Sequence, residues 1–179
     1  MKKLYLLFPL LLFVFITCED EKVEDTKEKE PTIIFSKTFG GIEDDSGLSI
    51  QQTIDEGYII TGYTGIGYSN VWLIKTDPQG QEEWNQTFGG SDGDHCSSVQ
   101  KTTDVGYIIT GETYSFGNGG ADVCLIKTNS NGNEEWNQTF GGSDGDYGSS
   151  VQQTTDGGYI LTGHKYSGNY AIGTYNADV

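Results

Sequence analysis

The residues Trp84–Gln100, WNQTFGGSDGDHCSSVQ, return as Trp136–Gln152, WNQTFGGSDGDYGSSVQ, changed at only two positions. Laying Gln81–Thr113 over Asn133–Lys165, an offset of 52, keeps 25 of 33 residues. A third copy, Thr38–Thr64, aligns at offset 49 with the segment starting at Thr87. Self-similarity of this length restricts the chain to architectures in which one supersecondary unit is stacked on copies of itself. The length difference has one location: an offset of eight from Gly62 to Asn70 becomes eleven from Gly111 to Asp122, so this loop lies outside the repeating scaffold.

Within the middle copy four runs carry strand signals: Ser97–Thr102, Gly106–Thr113, Asp122–Thr128 and Glu134–Phe140. Thr103-Asp104-Val105, which becomes Thr155-Asp156-Gly157, marks a tight hairpin. Asp77-Pro78-Gln79-Gly80 and Asn129-Ser130-Asn131-Gly132 supply the positive φ of a second reversal. Tyr107-Ile108-Ile109 and Val123-Cys124-Leu125-Ile126 are apolar on both faces, as in strands covered from both sides, and no segment sustains a helical period.

Four strands recurring every ~50 residues predict an all-β fold of β-propeller blades. The blades fall at about 46–88 and 95–140, with a partial one at 147–179, so about two and a half four-stranded antiparallel blades make an incomplete β-propeller. Thr32–Phe39 reads as the last strand of a preceding blade, and Ala177-Asp178-Val179 repeats the Ala121-Asp122-Val123 that opens a third strand. Propellers close with ~4–8 blades. The chain therefore reads as the front piece of a longer envelope propeller or enzyme subunit, truncated and without independent activity, or as a naturally short protein whose open strand edges invite self-association.

The pattern LIKTDPQGQEEW (Leu73–Trp84), repeated as LIKTNSNGNEEW (Leu125–Trp136), resembles the repeat of quinoprotein-like (PQQ-type) propellers. It is closer to uncharacterised propeller repeats of bacterial and archaeal surface proteins, over Thr32 to about Lys165. The resemblance implies that Trp84 and Trp136 dock one blade against the next. No quinone-binding set accompanies them, so no cofactor is expected.

The first thirty residues have a different composition. Met1-Lys2-Lys3 is a short positive start, Leu4–Ile16 is nearly all apolar, and Thr17-Cys18 follows, which is the layout of a secretory signal. The run is shorter than the ~20 residues a spanning helix needs. Phe15-Ile16-Thr17-Cys18 resembles a bacterial lipoprotein signal, although Phe15 and Thr17 depart from its commonest form. That resemblance implies a signal peptide over 1–17, Cys18 as the lipid-bearing (palmitate) first residue of the mature protein, and a membrane partner through that anchor. Glu19–Glu30 holds seven acids, three lysines and one apolar residue, too little to offset the entropy of ordering, so 18–30 reads as an acidic disordered tether. Its acidic start is similar to export tags of surface lipoproteins in Bacteroidota-type bacteria, which implies the outer membrane or cell surface; a bland linker fits the charge pattern equally.

From Pro31 onward, 19 acids stand against five lysines, a net charge of −14, and the chain contains no arginine. Phosphate neutralisation depends on cations, and bidentate recognition depends on the guanidinium fork. Nucleic-acid binding is excluded on this ground. Export permits a disulfide between Cys96 and Cys124, yet the other copies place Gly148 and Trp72 at their positions, which favours free, packed thiols.

The Gly-Gly-Ser-Asp-Gly-Asp phrase sets Asp92 near Asp94 and Asp144 near Asp146, but six to eight calcium ligands are not accounted for, so a structural corner is expected and no metal. His95 and His164 stand at non-equivalent repeat positions with no triad or zinc spacing. Glu82-Glu83 and Glu134-Glu135 recur beside a turn in both copies, unlike catalytic groups, and no catalytic residue is expected. Tyr63, Tyr68, Tyr114, Tyr166, Tyr170 and Tyr175 fall in or near the variable loop, where aromatic rings either fill a strand edge, the reading slightly preferred, or stack on a glycan or a protein ligand. The sequence thus reads as a non-catalytic binding or scaffold module of the cell envelope.

Overall fold

The computed structural model describes residues 35–166 and the strand Ile172–Tyr175. The segment 1–17, Cys18, the tether to residue 30, Thr32–Ile34, Tyr170 and the tail 176–179 lie outside the described residues.

The described residues form an all-β structure of eleven strands in three antiparallel sheets, with no helix among them. The first sheet contains β1 (Ser46–Gln52), β2 (Tyr58–Thr64), β3 (Asn70–Thr76) and β4 (Glu82–Phe88). The second contains β5 (Asp94–Lys101), β6 (Tyr107–Thr113), β7 (Asp122–Thr128) and β8 (Glu134–Phe140). The third contains β9 (Asp146–Gln153), β10 (Tyr159–Lys165) and β11 (Ile172–Tyr175). In each sheet spatial order follows chain order. The third and fourth strands of the middle repeat coincide with the predicted ranges, whereas β5 begins three residues before the predicted Ser97.

Two expectations are corrected. Residues 35–40 form no strand, because no described strand lies beside them to share backbone hydrogen bonds. The third sheet already has a third strand: β11 pairs with β10 from Tyr159↔Tyr175 to Thr162↔Ile172, ahead of Ala177-Asp178-Val179.

The turns follow from local side-chain chemistry. Asp77 Oδ1 accepts the N–H groups of Gln79 and Gln81, both at 2.8 Å, and Gly80 takes φ 73°. Asn129 Oδ1 does the same for Asn131 and Asn133 at 2.9 and 3.1 Å, with Gly132 at φ 77°. These are Asx turns, which the repeated Asp/Asn-x-x-Gly spelling encodes. The β5–β6 hairpin is less comfortable: Val105 has φ 63° where its counterpart Gly157 has φ 89°, and a β-branched residue is poorly suited to that region.

Every first strand carries a bulge near its start, seen as register shifts at Gly47/Ser49, Cys96/Ser98 and opposite Thr162/Gly163. The repeated Thr-Gly of the second strand answers it. A Cβ on Gly111 would lie 2.0 Å from the His95 carbonyl oxygen, and one on Gly163 would lie 2.0 Å from that of Tyr147. Bulges re-aim side chains, and here they set the direction of the residue at the head of each first strand.

Adjacent sheets pack face to face. Ile59, Val71 and Leu73 of the first sheet meet Cys96, Val99, Tyr107, Ile109 and Ile126 of the second. Ile108, Val123 and Leu125 of the second meet Val151, Tyr159 and Leu161 of the third. Each fully buried aliphatic side chain contributes roughly 1.5–3 kcal/mol. The second sheet is covered on both faces, so every residue of β7 is buried. Trp84 packs on Tyr107 with ring centroids 6.1 Å apart, and Trp136 on Tyr159 at 5.7 Å. Both tryptophans therefore join one sheet to the next. Cys96 and Cys124 are free and buried. Thr61 donates to Cys96 Sγ at 2.9 Å, and burial pushes the Cys96 thiol up to about 12 and the Cys124 thiol upward as well.

Candidate functional site

Each sheet has two ends that differ in chemistry. At the end formed by the β1–β2, β3–β4, β5–β6 and β7–β8 turns, a lysine sits among carboxylates. Lys75 Nζ lies 2.7 Å from Asp55 and 2.8 Å from Glu83; Lys127 Nζ lies 2.8 Å from Asp104 and 2.7 Å from Glu135. Burial alone would lower both lysine pKa values, but the paired carboxylates overcome it and raise them. Lys75 holds Asp55 down to about 2. Burial opposes the same effect at Asp104, yet Lys127 and the Thr102 hydroxyl hold that carboxyl at about 2. Glu83 and Glu135 are thus ion-pair partners. A groove of about 610 Å³ opens here, lined by Asp55, Lys75, Glu83 and Trp84.

The glycine-rich corners between sheets are closed by their own aspartates. Asp45, Asp94 and Asp146 each accept a backbone N–H from four residues earlier, from Gly41, Gly90 and Gly142 at 2.9, 2.8 and 3.0 Å. Asp94, buried, also takes the Ser115 hydroxyl at 2.7 Å and that of Thr113. These carboxylates are used in shaping the turn. Among the described residues no group of three or more His, Cys, Asp or Glu side chains is placed to hold a metal ion.

The opposite end is built differently. The first residues of each first strand face the last residues of each second strand, giving the cross-strand pairs Ser46↔Tyr63, His95↔Glu112 and Tyr147↔His164. These are the same repeat position in three chemistries. Neighbouring sheets bring the pairs into one row. The Tyr63 ring meets His95 edge-on at 4.8 Å, Tyr147 stacks on His164 at 4.7 Å and 8°, and Tyr166 lies 5.9 Å from Tyr147. The Tyr114 and Tyr147 hydroxyls are 3.3 Å apart, a contact that pushes the Tyr147 phenol up to about 12. Tyr114 and Tyr166, which contact Tyr147, are exposed, and so is Tyr68, the chain neighbour of Ser69.

Inside it lies a chain of polar contacts. Ser69 Oγ is 2.6 Å from His95 Nε2, and His95 Nδ1 is 3.3 Å from Glu112 Oε1. With Nδ1 donating to the carboxylate, Nε2 accepts the serine hydroxyl, the order of contacts in which a base activates a nucleophile. Burial holds Glu112 above the usual carboxylate range, against the lowering effect of His95. The grooves lined by Lys75, by Phe88 and by Trp72 include none of these three residues.

Of the predicted site residues, Cys18 and Tyr170 lie outside the described residues, while Tyr63, Tyr114 and Tyr166 come together at this end. The two histidines, read from sequence as scattered, belong to the same row. Tyr147 and Glu112 went unnoticed. A signal for all four existed: His95/Tyr147 and Glu112/His164 are among only eight differences between copies otherwise identical over 33 positions. No protein-family model matches the chain, and no curated protein matches it.

Proposed function

We propose that this chain is a lipid-anchored protein of the cell envelope, tethered through Cys18, whose sheets are blades of a β-propeller acting as a non-catalytic binding module. The propeller reading is supported by the way successive sheets meet, through their first and second strands: β5 against β1 and β2, and β9 against β5 and β6. Side chains of the first strands also bond across, with Lys101 N–H donating to Gln51 Oε1 at 3.1 Å and Thr103 N–H to Gln153 Oε1 at 2.8 Å.

One observation carries the binding role: the row Tyr63, His95, Glu112, Tyr147, His164, Tyr166 varies in chemistry on a scaffold that otherwise repeats itself. Phenol and imidazole faces offer flat apolar platforms with polar rims, which suits a glycan or an extended peptide. A net charge of −14 over 31–179 keeps phosphate polymers away. Binding of the full chain to glycan and peptide arrays tests the reading. The expected result is one ligand class whose affinity falls at least tenfold in Tyr147→Ala with an unchanged melting temperature; equal binding by that variant overturns it. For the anchor, Cys18→Ser is expected to release the protein from membranes, and continued membrane association would sink the assignment.

The Ser69–His95–Glu112 contacts favour a second reading, ester hydrolysis at Ser69. Turnover of an activated acetate ester that disappears in Ser69→Ala would establish it, and equal rates for the two proteins would remove it.

A further inference from the structure

We infer that a second copy of this chain covers the outer face of the first sheet, and that two copies close one ring through two identical joints. The inference shares the propeller reading but is independent of the ligand.

The joint between sheets occurs twice in the chain, with tryptophan on tyrosine and a buried valine at equivalent places in both. Sheets two and three receive their predecessors on Val99 and Val151, each 1% exposed. The corresponding residue of the first sheet is Ile50, apolar like them and 59% exposed. Beside it a hollow of about 140 Å³ is lined by Phe39, Gly47, Ile60 and Trp72. The first sheet thus carries the receiving surface of a joint without a described sheet to fill it.

Part of that joint is already present. Phe35 stands at the repeat position of Trp84 and Trp136. It packs on Tyr58 at 6.0 Å, as Trp84 packs on Tyr107 at 6.1 Å. A Cβ on Gly80 would meet the Phe35 ring at 2.5 Å, and one on Gly132 would meet the Trp84 ring at the same distance. Residues 35–39 therefore lie where the fourth strand of a preceding sheet belongs, yet they form no strand. Among the described residues the third sheet has the opposite shortage: β11 is its edge, where β3 and β7 are each followed by a fourth strand. In the pair, β11 of one copy takes residues 35–39 of the other as its fourth strand, and the outer faces of the third and first sheets meet as the inner ones do. Two copies of the three described sheets give six, within the ~4–8 that close a propeller, and a two-fold axis relates the two joints.

The test uses the full chain extracted from membranes in detergent. Native mass spectrometry is expected to give two copies, and two differently tagged copies expressed together are expected to co-purify. Ile50→Asp places a charge on the receiving face at a position exposed in the single chain, so its melting curve at low concentration is expected to stay unchanged while the pair dissociates at least tenfold more readily. A single-copy mass for the unaltered chain, an odd number of copies, or an Ile50→Asp protein that pairs as tightly as the original would overturn the inference. Ligand binding by an unaltered chain that runs at a single-copy mass would leave the binding role standing while removing this one.

Discussion

The two ends of the sheets follow opposite rules. At the turn end, Lys75 with Asp55 and Glu83 is reproduced by Lys127 with Asp104 and Glu135, distance for distance. Copies do differ there, for example at Asp77/Asn129, Pro78/Ser130, Gln79/Asn131, Gln81/Asn133, Lys101/Gln153 and Val105/Gly157, but no change touches the lysine, its carboxylates or the tryptophan. At the loop end the same backbone position holds serine, histidine and tyrosine in turn. A group needed to stack one sheet on another must recur in every sheet. One that meets an outside molecule is free to be unique, and on this contrast rests the proposed recognition role of the second end.

The comparison breaks most sharply at Trp84. Its ring bridges Tyr107 and Gly132 of the next sheet, so Trp84→Ala opens the joint itself. The expected loss is about 3 kcal/mol, the lower part of the range for large aromatic deletions because the ring is only partly buried. Urea unfolding measures it; a loss no larger than that of an exposed substitution would show that the tryptophan is not the joint.

Lys127→Met comes next. The Lys127 side chain is 3% exposed, but those of Asp104 and Glu135 are 56% and 43% exposed and can be rehydrated once it is gone. That discount brings the expected loss to about 1–2 kcal/mol, below the cost of breaking a fully buried pair. The pH dependence has a definite sign. Asp55 and Asp104 are held at about 2 in the fold against ~3.9 in an unfolded chain. Their contribution is therefore complete above pH ~4 and lost as pH falls from there toward 2. Lys127→Met is expected to flatten this acid slope, read from melting temperatures across that interval, and an unchanged slope would place the acid sensitivity elsewhere.

Val105→Gly is expected to act in the opposite direction at the same end. Val105 holds φ 63° with its side chain 55% exposed, so little packing is lost and backbone strain is relieved. A gain of about 1 kcal/mol is expected; a loss would mean that the valine contributes packing beyond the single chain.

Legibility from sequence divides along the same line. The strands from Asp122 to Phe140 and the Asp77 and Asn129 turns were readable because local chemistry fixes them: apolar runs, Asx side chains, and glycine at positive φ. Residues 35–39 misled because their strand-like spelling requires a neighbour that the described residues do not supply. The start of β5 at Asp94 was missed since that aspartate both closes a corner and opens a strand. The loop end was only half legible. Tyrosines near a loop are visible one by one, but Ser69 and His95 are 26 residues apart and meet only because the first strand of one sheet lies against the loop of its predecessor. Nothing in their spacing states that, although the mismatch between nearly identical copies points to the positions.

The smallest effect is expected at Glu112, and its sign sharpens the comparison. Burial holds this carboxyl above its usual pKa, with His95 only partly compensating. A raised carboxyl stabilises the fold while protonated and weakens it, relative to the unfolded chain, once pH passes its unfolded value of ~4.3. Glu112→Gln keeps an acceptor for His95 Nδ1 and removes the charge. At pH 7 the variant is therefore expected to unfold no more easily than the original and to gain up to about 0.5 kcal/mol, with the gain vanishing below pH ~4. Urea midpoints at the two pH values decide it. A loss comparable to that of Lys127→Met would mean that the loop end is held together by its charges as the turn end is, and the division between scaffold and recognition would fall.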